Sequence, residues 1–177
     1  MFRGAMCLSL FLCAARPAAA QPRAAEISGG YSFVHDAKND ISLPAGWIAG
    51  GAFSITPWLA AAADVSGSYK SEEAFGVELR FRTHGILGGA RVHARLGRVT
   101  EFAQLLAGVV RGNGTAFGFT DTTSAFAVQP GAGLDYPLVG RFAARGQLDV
   151  RFIRNQPDGN EAGYEYRFSA AVVYRIR

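Results

Sequence analysis

Between Gly140 and Asn155 the sequence reads GRFAARGQLDVRFIRN, and the character of its side chains switches at every second position. Arg141, Arg145, Gln147, Asp149 and Arg151 share one parity; Phe142, Ala144, Leu148, Val150 and Phe152 share the other. Successive side chains of a β-strand leave opposite faces of the sheet, so this segment is a strand with one ionic and one apolar face. Which face points inward decides what kind of protein this is.

The same period runs through the rest of the chain, and no long helical period interrupts it. Extended segments rich in Val, Phe, Tyr, Ala and Gly alternate with turn-forming clusters. They lie at about Glu26–His35, Ala45–Ile55, Trp58–Lys70, Gly76–Leu96, Thr100–Arg111, Thr123–Tyr136, Arg141–Arg154 and Tyr164–Arg177, eight strands in one domain. In the third, Leu59, Ala61, Ala63, Val65 and Tyr69 oppose Asp64, Ser66 and Ser68. In the fourth, Val77, Leu79 and Phe81 oppose Glu78, Arg80, Arg82 and His84, whereas later Val92, Ala94 and Leu96 oppose Arg91, His93 and Arg95. That change of parity predicts a β-bulge near Gly85, Gly88 or Gly89. Pro130 removes a ladder donor from the sixth strand, which predicts a bulge or a break there.

Long and short connections alternate strictly. DAKNDISLP, KSEEAF, GNGTAFGFTDT and NQPDGNEAG are long; Thr56-Pro57, the turn around Gly97 and PLVG at Pro137–Gly140 are short. An up-and-down array with all long loops at one end is the pattern of outer-membrane barrels. Ahead of it, MFRGAMCLSLFLCAARPAAAQ has the parts of a cleaved export signal. Arg3 is the positive region, Ala5 to Ala15 a short apolar stretch, and Ala18-Ala19-Ala20 a small-residue cleavage site before Gln21. The expected organisation is a signal peptide at residues 1–20 and a barrel domain at 21–177. Both cysteines, Cys7 and Cys13, fall in the leader, which leaves the mature chain no disulfide or thiol chemistry.

Alternation alone does not separate two barrels. A soluble lipocalin-like barrel turns its apolar face inward around a ligand; a membrane barrel turns it outward to lipid. Composition favours the second. A water-facing sheet carries many lysines, yet the mature chain has only Lys38 and Lys70, both in or beside loops. The polar strand faces carry Arg, Asp, Glu and Gln among small residues, and the planar fork of Arg suits buried pairing with carboxylates. Aromatic residues stand near the ends of the apolar faces: Tyr31, Trp47, Trp58, Tyr69, Phe102, Tyr136, Phe142, Phe152, Tyr164 and Tyr174. With the polar face inward, the interior network is expected to draw on Glu26, Asp64, Glu78, Asp135, Asp149 and Glu165 as acids. Its expected bases are Arg80, Arg82, Arg91, Arg145, Arg151 and Arg167. Unpaired, each such charge would be costly.

The chain resembles the small eight-stranded outer-membrane β-barrel family, whose familiar members are the membrane domain of outer membrane protein A and the opacity proteins. The resemblance covers the mature chain and rests on architecture. Its most specific part is the last strand, where SAAVVYRI matches the family's assembly signal with Ser169 as the polar residue, Tyr174 as the aromatic and Ile176 as the last hydrophobic. Ala171 stands where the family usually has Gly, and Arg177 follows where an aromatic usually ends the chain. The resemblance implies an all-β, eight-stranded antiparallel transmembrane barrel in a bacterial outer membrane, embedded in membrane lipids and delivered by the barrel-assembly machinery.

Other chemistries find less in the sequence. His35, His84 and His93 have no metal-ligand spacing, and neither a nucleophile elbow nor a phosphate loop occurs, so no cofactor is expected. Ser68, His84 and Glu78 could meet as the triad of a lipid-modifying enzyme, but so could many other triples, and catalysis is the minority reading. The net charge of +4 is spread along strands, which argues against a nucleic-acid surface. A narrow pore stays open as a reading, although an eight-stranded barrel is about filled by its own side chains. The expected role is therefore structural or surface-interacting. The long loops, including Phe117 and Phe119, are the candidate contact surface for an extracellular partner.

Overall fold

The computed structural model describes residues 25–37, 40–74, 77–116, 119–154 and 162–176. The strands are β1 (Ala25–Asp36), β2 (Ile41–Leu43), β3 (Ala45–Ser54), β4 (Leu59–Ala74), β5 (Val77–Leu96), β6 (Val99–Ala116), β7 (Phe119–Pro137), β8 (Phe142–Arg154) and β9 (Ala162–Ile176). All neighbours pair antiparallel, and β9 closes on β1 from Ala25↔Ile176 to Asp36↔Glu165. The closed barrel has eight staves, because β2 and β3 form one stave along β1 that is interrupted at Pro44. Tyr31 faces Trp47 but Val34 faces Leu43, a one-residue slip across the proline, and the Tyr31 hydroxyl donates to the Pro44 carbonyl there. The residues expected to form a signal peptide lie outside the described residues.

Closure solves a physical problem. In lipid every backbone N–H and C=O needs an internal partner, and a ring of strands has no edge. The short turns are built for reversal. Gly97 and Gly140 hold φ of 60° and 64°, a region in which a side chain is strained. At the third short turn Thr56 Oγ1 accepts from Leu59 N at 3.0 Å, while Ile55 N and Thr56 N donate to Leu59 O.

Three expectations differ from the structure. No bulge occurs in β5, whose register is continuous with β4 and with β6 from Arg80 to Val92. At Pro130 there is no bulge either, and β7 runs through unbroken. The β7–β8 ladder opens at Gln129 and Pro130 and resumes in the same register at Gly131↔Asp149, because the proline has no N–H to give. Finally, β4, β6 and β7 run past their expected ends, so much of KSEEAF and GNGTAFGFTDT is strand. Polar sequence there marks where lipid stops, not where the sheet stops.

The faces separate cleanly. Ile27, Ile86, Leu105, Val109, Phe126, Leu134, Leu148 and Phe168 stand exposed on the outside. Asp64, Gln104, Gln129, Asp135, Arg145, Asp149, Arg151 and Arg167 are buried inside. One interior wall is apolar, with Leu87, Leu106, Val110 and Ala127 packed beside Ala62 and Ile153. This is the inverse of a soluble ligand-binding barrel.

Candidate functional site: the charged interior and the outer rim

Glu26 on β1 holds two arginines with one oxygen: Oε1 accepts from Arg91 Nη1 and Arg145 Nη2, each at 2.6 Å. Arg145 also grips both oxygens of Asp135, through Nε at 2.7 Å and Nη2 at 2.8 Å, a two-pronged contact of the strong kind. Arg175 adds a longer contact to Asp135 Oδ2 at 3.4 Å. The Phe102 ring lies under both guanidiniums, with Arg91 4.4 Å and Arg145 4.6 Å from its centroid. Two like charges are thereby held by one carboxylate and one π-face.

From Arg91 the contacts continue inward. Arg91 Nε and Nη2 donate to Gln104 Oε1, and Gln104 Nε2 donates to Asp149 Oδ1 at 3.2 Å. Asp149 also accepts from Gln147 Nε2 at 2.8 Å and Arg167 Nε at 3.0 Å. Arg167 Nη2 spans to Asp64 Oδ2 at 2.7 Å. Gln129 then links Asp64 to Arg151, donating at 3.3 Å and accepting at 2.9 Å. Arg151 ends the chain on Glu165 Oε2 at 3.2 Å and Ser66 Oγ at 3.3 Å.

The network runs unbroken from Arg175 to Glu165, and its five carboxylates match its five guanidiniums. Two glycines make room for it. A Cβ on Gly131 would overlap Asp149 Oδ1, and one on Gly133 would come within 2.5 Å of the Phe102 ring.

Of the expected interior residues, Glu26, Asp64, Asp135, Arg145, Asp149, Arg151, Glu165 and Arg167 meet in this network, together with Arg91. Arg80 and Arg82 do not. Both are exposed on the outer face, because the inward parity of β5 stays odd from Phe81 to His93. The apparent parity change is the strand leaving lipid, after which its outer side turns polar. The Glu78 side chain lies outside the described residues, as do Phe117 and the side chain of Phe119. Phe102, expected in the outer aromatic girdle, points inward instead and is buried. Sequence reading also missed Gln104 and Gln129; Gln129 shares the parity of Asp135 on β7, which was an available signal, whereas Gln104 shares that of Phe102, which pointed the wrong way.

The enzyme triple does not assemble, since Ser68 is buried inside the barrel while His84 stands exposed outside it. His35 is hydrogen-bonded across the strands to Ser42 Oγ through Nδ1 at 3.1 Å, and His93 points into the interior. In β9, Ser169 and Ala171 face inward, whereas Tyr174 and Ile176 face out beside β1 and Phe142.

The family model for the outer membrane protein beta-barrel domain matches residues 5–175. The chain belongs to that family. It is an integral barrel of the bacterial outer membrane. Solved structures of similar shape include Ail, the attachment invasion locus protein of Yersinia pestis. Ail is 16% identical with a TM-score of 0.61, and the match covers 88% of this chain and 100% of that one. Ail has also been solved in complex with the heparin analogue sucrose octasulfate. Neisserial surface protein A is 12% identical with a TM-score of 0.66, covering 89% of this chain and 99% of that one. The N-terminal barrel domain of OprF from Pseudomonas aeruginosa is 16% identical with a TM-score of 0.55, over 89% of this chain and 100% of that one. No curated protein matches the sequence. In this outer-membrane barrel the inward arginines are buried and matched by carboxylates.

Proposed function

We propose that this outer-membrane barrel is a non-catalytic surface protein whose projecting hairpins engage an extracellular partner. The observation that carries the reading is strand length. Crossing a bilayer takes about 9–11 tilted residues, yet β5 has 20, β6 has 18 and β7 has 19. The short turns lie at the other end, so the surplus stands on the long-loop side in the β4–β5 and β6–β7 strand pairs. A pore would need a wet lumen, and here Arg91, Arg145, Arg151 and Arg167 lie buried across it. Ail, which takes a heparin analogue, makes a sulfated polysaccharide the first partner class to test. The same proposal takes residues 1–20 as the cleaved export signal, and Ser169, Ala171, Tyr174 and Ile176 as the signal read by the assembly machinery.

The test is binding of the nanodisc-embedded protein to immobilised heparin. It is compared with a variant whose β4–β5 hairpin is shortened between Ser71 and Arg80. Retention of the full-length protein and loss in the shortened one is expected. Equal retention of both, or no retention of either, refutes the reading.

A further inference from the structure

The arginines of the interior network all have carboxylate partners, whereas Arg82 and Arg111, on the outer face of β5 and β6, have none among the described residues. Along the outer face of β5 the side chains run Val92, Ala90, Gly88, Ile86, then His84 and Arg82; along β6 they run Leu105, Ala107, Val109, then Arg111. The switch from apolar to cationic comes at the same register on both strands, because His84 pairs directly with Arg111. Arg82 lies one outward position further on, about 7–8 Å diagonally from Arg111 by the geometry of antiparallel pairs. Among the described residues no carboxylate is paired with Arg82 or Arg111. At the opposite end the outward positions of these two strands carry Ala94, Leu96 and Glu101, and a cation, Arg98, sits in the short turn.

Their height is marked by neighbours. Tyr69 pairs with Arg82 across the β4–β5 ladder. Its hydroxyl accepts from Trp47 Nε1 at 3.2 Å and meets His84 Nε2 at 3.2 Å, with the Tyr69 and His84 rings edge to face at 5.6 Å. Gly67 lets this ladder form, since a Cβ there would lie 2.6 Å from Trp47 Nε1. An indole and a phenol locked together on the outer surface sit where such rings favour the head-group layer. Side chains pointing outward at that height meet lipid head groups before bulk water.

We propose that Arg82, Arg111 and the Tyr69-oriented His84 form an outward-facing site for the phosphate groups of an anionic outer-leaflet lipid. The register sets the two arginines on adjacent strands within reach of one phosphate, a group that guanidinium forks bind by charge-assisted, two-pronged contacts. The inference rests on the membrane location of the barrel and does not depend on any extracellular partner.

Native mass spectrometry of the folded, detergent-solubilised barrel, titrated with bisphosphorylated lipid A and with its dephosphorylated form, tests it. The full-length protein is expected to prefer the phosphorylated lipid. Each surface arginine contributes about fivefold to such binding, so Arg82→Gln with Arg111→Gln should weaken it on the order of 30-fold. Arg98→Gln, at the opposite rim, should leave it unchanged. Heat-modifiable gel migration verifies that each variant is folded, and the comparison of the two lipids in unaltered protein needs no variant at all. Equal binding of both lipids, or a loss below about threefold in the double variant, overturns the proposal. So does displacement of the lipid by inorganic phosphate, which would make the occupant a soluble anion.

Discussion

Asp149 has more side-chain partners than any other carboxylate of the interior network. It is fully buried and accepts from Arg167, Gln104 and Gln147 at once. Removing one partner of a buried ion pair typically costs about 3–5 kcal/mol, because the other charge is left without compensation. In Asp149→Ala, Arg167 still keeps Asp64 at 2.7 Å, which places the expected loss at the lower end, about 3 kcal/mol. The Gln147 and Gln104 amides, both buried, lose an acceptor as well, and the notch at Gly131 that seats the carboxylate stands unfilled. Urea unfolding of the barrel in lipid vesicles, followed by tryptophan emission and by heat-modifiable migration, measures the change. With a slope of about 2 kcal/mol/M, the midpoint should fall by about 1.5 M. Arg98→Ala, an exposed turn residue, should stay within about 0.5 kcal/mol and serves as the reference. A midpoint for Asp149→Ala indistinguishable from that of Arg98→Ala would refute the claim that a connected charge network holds the interior together.

Two further outcomes follow from the geometry. Leu148→Arg or Val150→Arg places a charge on the lipid-facing side of β8 and should cost about 2–4 kcal/mol at the bilayer midplane, seen as a reduced folded fraction on insertion into vesicles; normal insertion of both would remove the lipid-facing assignment. Gly131→Ala pushes a methyl group into the Asp149 carboxylate and should destabilise by about 1–3 kcal/mol in the same urea assay, whereas Gly112→Ala, with open space around its Cβ, should not.

The alternation in GRFAARGQLDVRFIRN was enough to separate the two faces of β8. Scarcity of lysine together with inward Arg and Asp was enough to turn the ionic face inside. Both are local signals: the period reports strand geometry, and residue type reports the medium each face touches. The same locality explains the errors. In β5, Arg80, Arg82 and His84 looked like the inner face because they are charged, but they share the outward parity of Ile86 and Val92 beyond the point where lipid ends. The polar stretches around KSEEAF and GNGTAFGFTDT looked like loops for the same reason, although the sheet continues through parts of both.

What the sequence by itself determined was the fold class, the number of staves, the inward ionic face and most of the residues in it. Only closure of the barrel decided which charges pair. Glu26 meets Arg145 across 119 positions and Arg167 meets Asp64 across 103, and neither distance leaves a periodic trace. Closure also drew Phe102 inward between two guanidiniums, where an aromatic ring would otherwise read as part of the girdle. Side-chain period is a property of one strand, but charge compensation in a buried interior is a property of all eight staves at once.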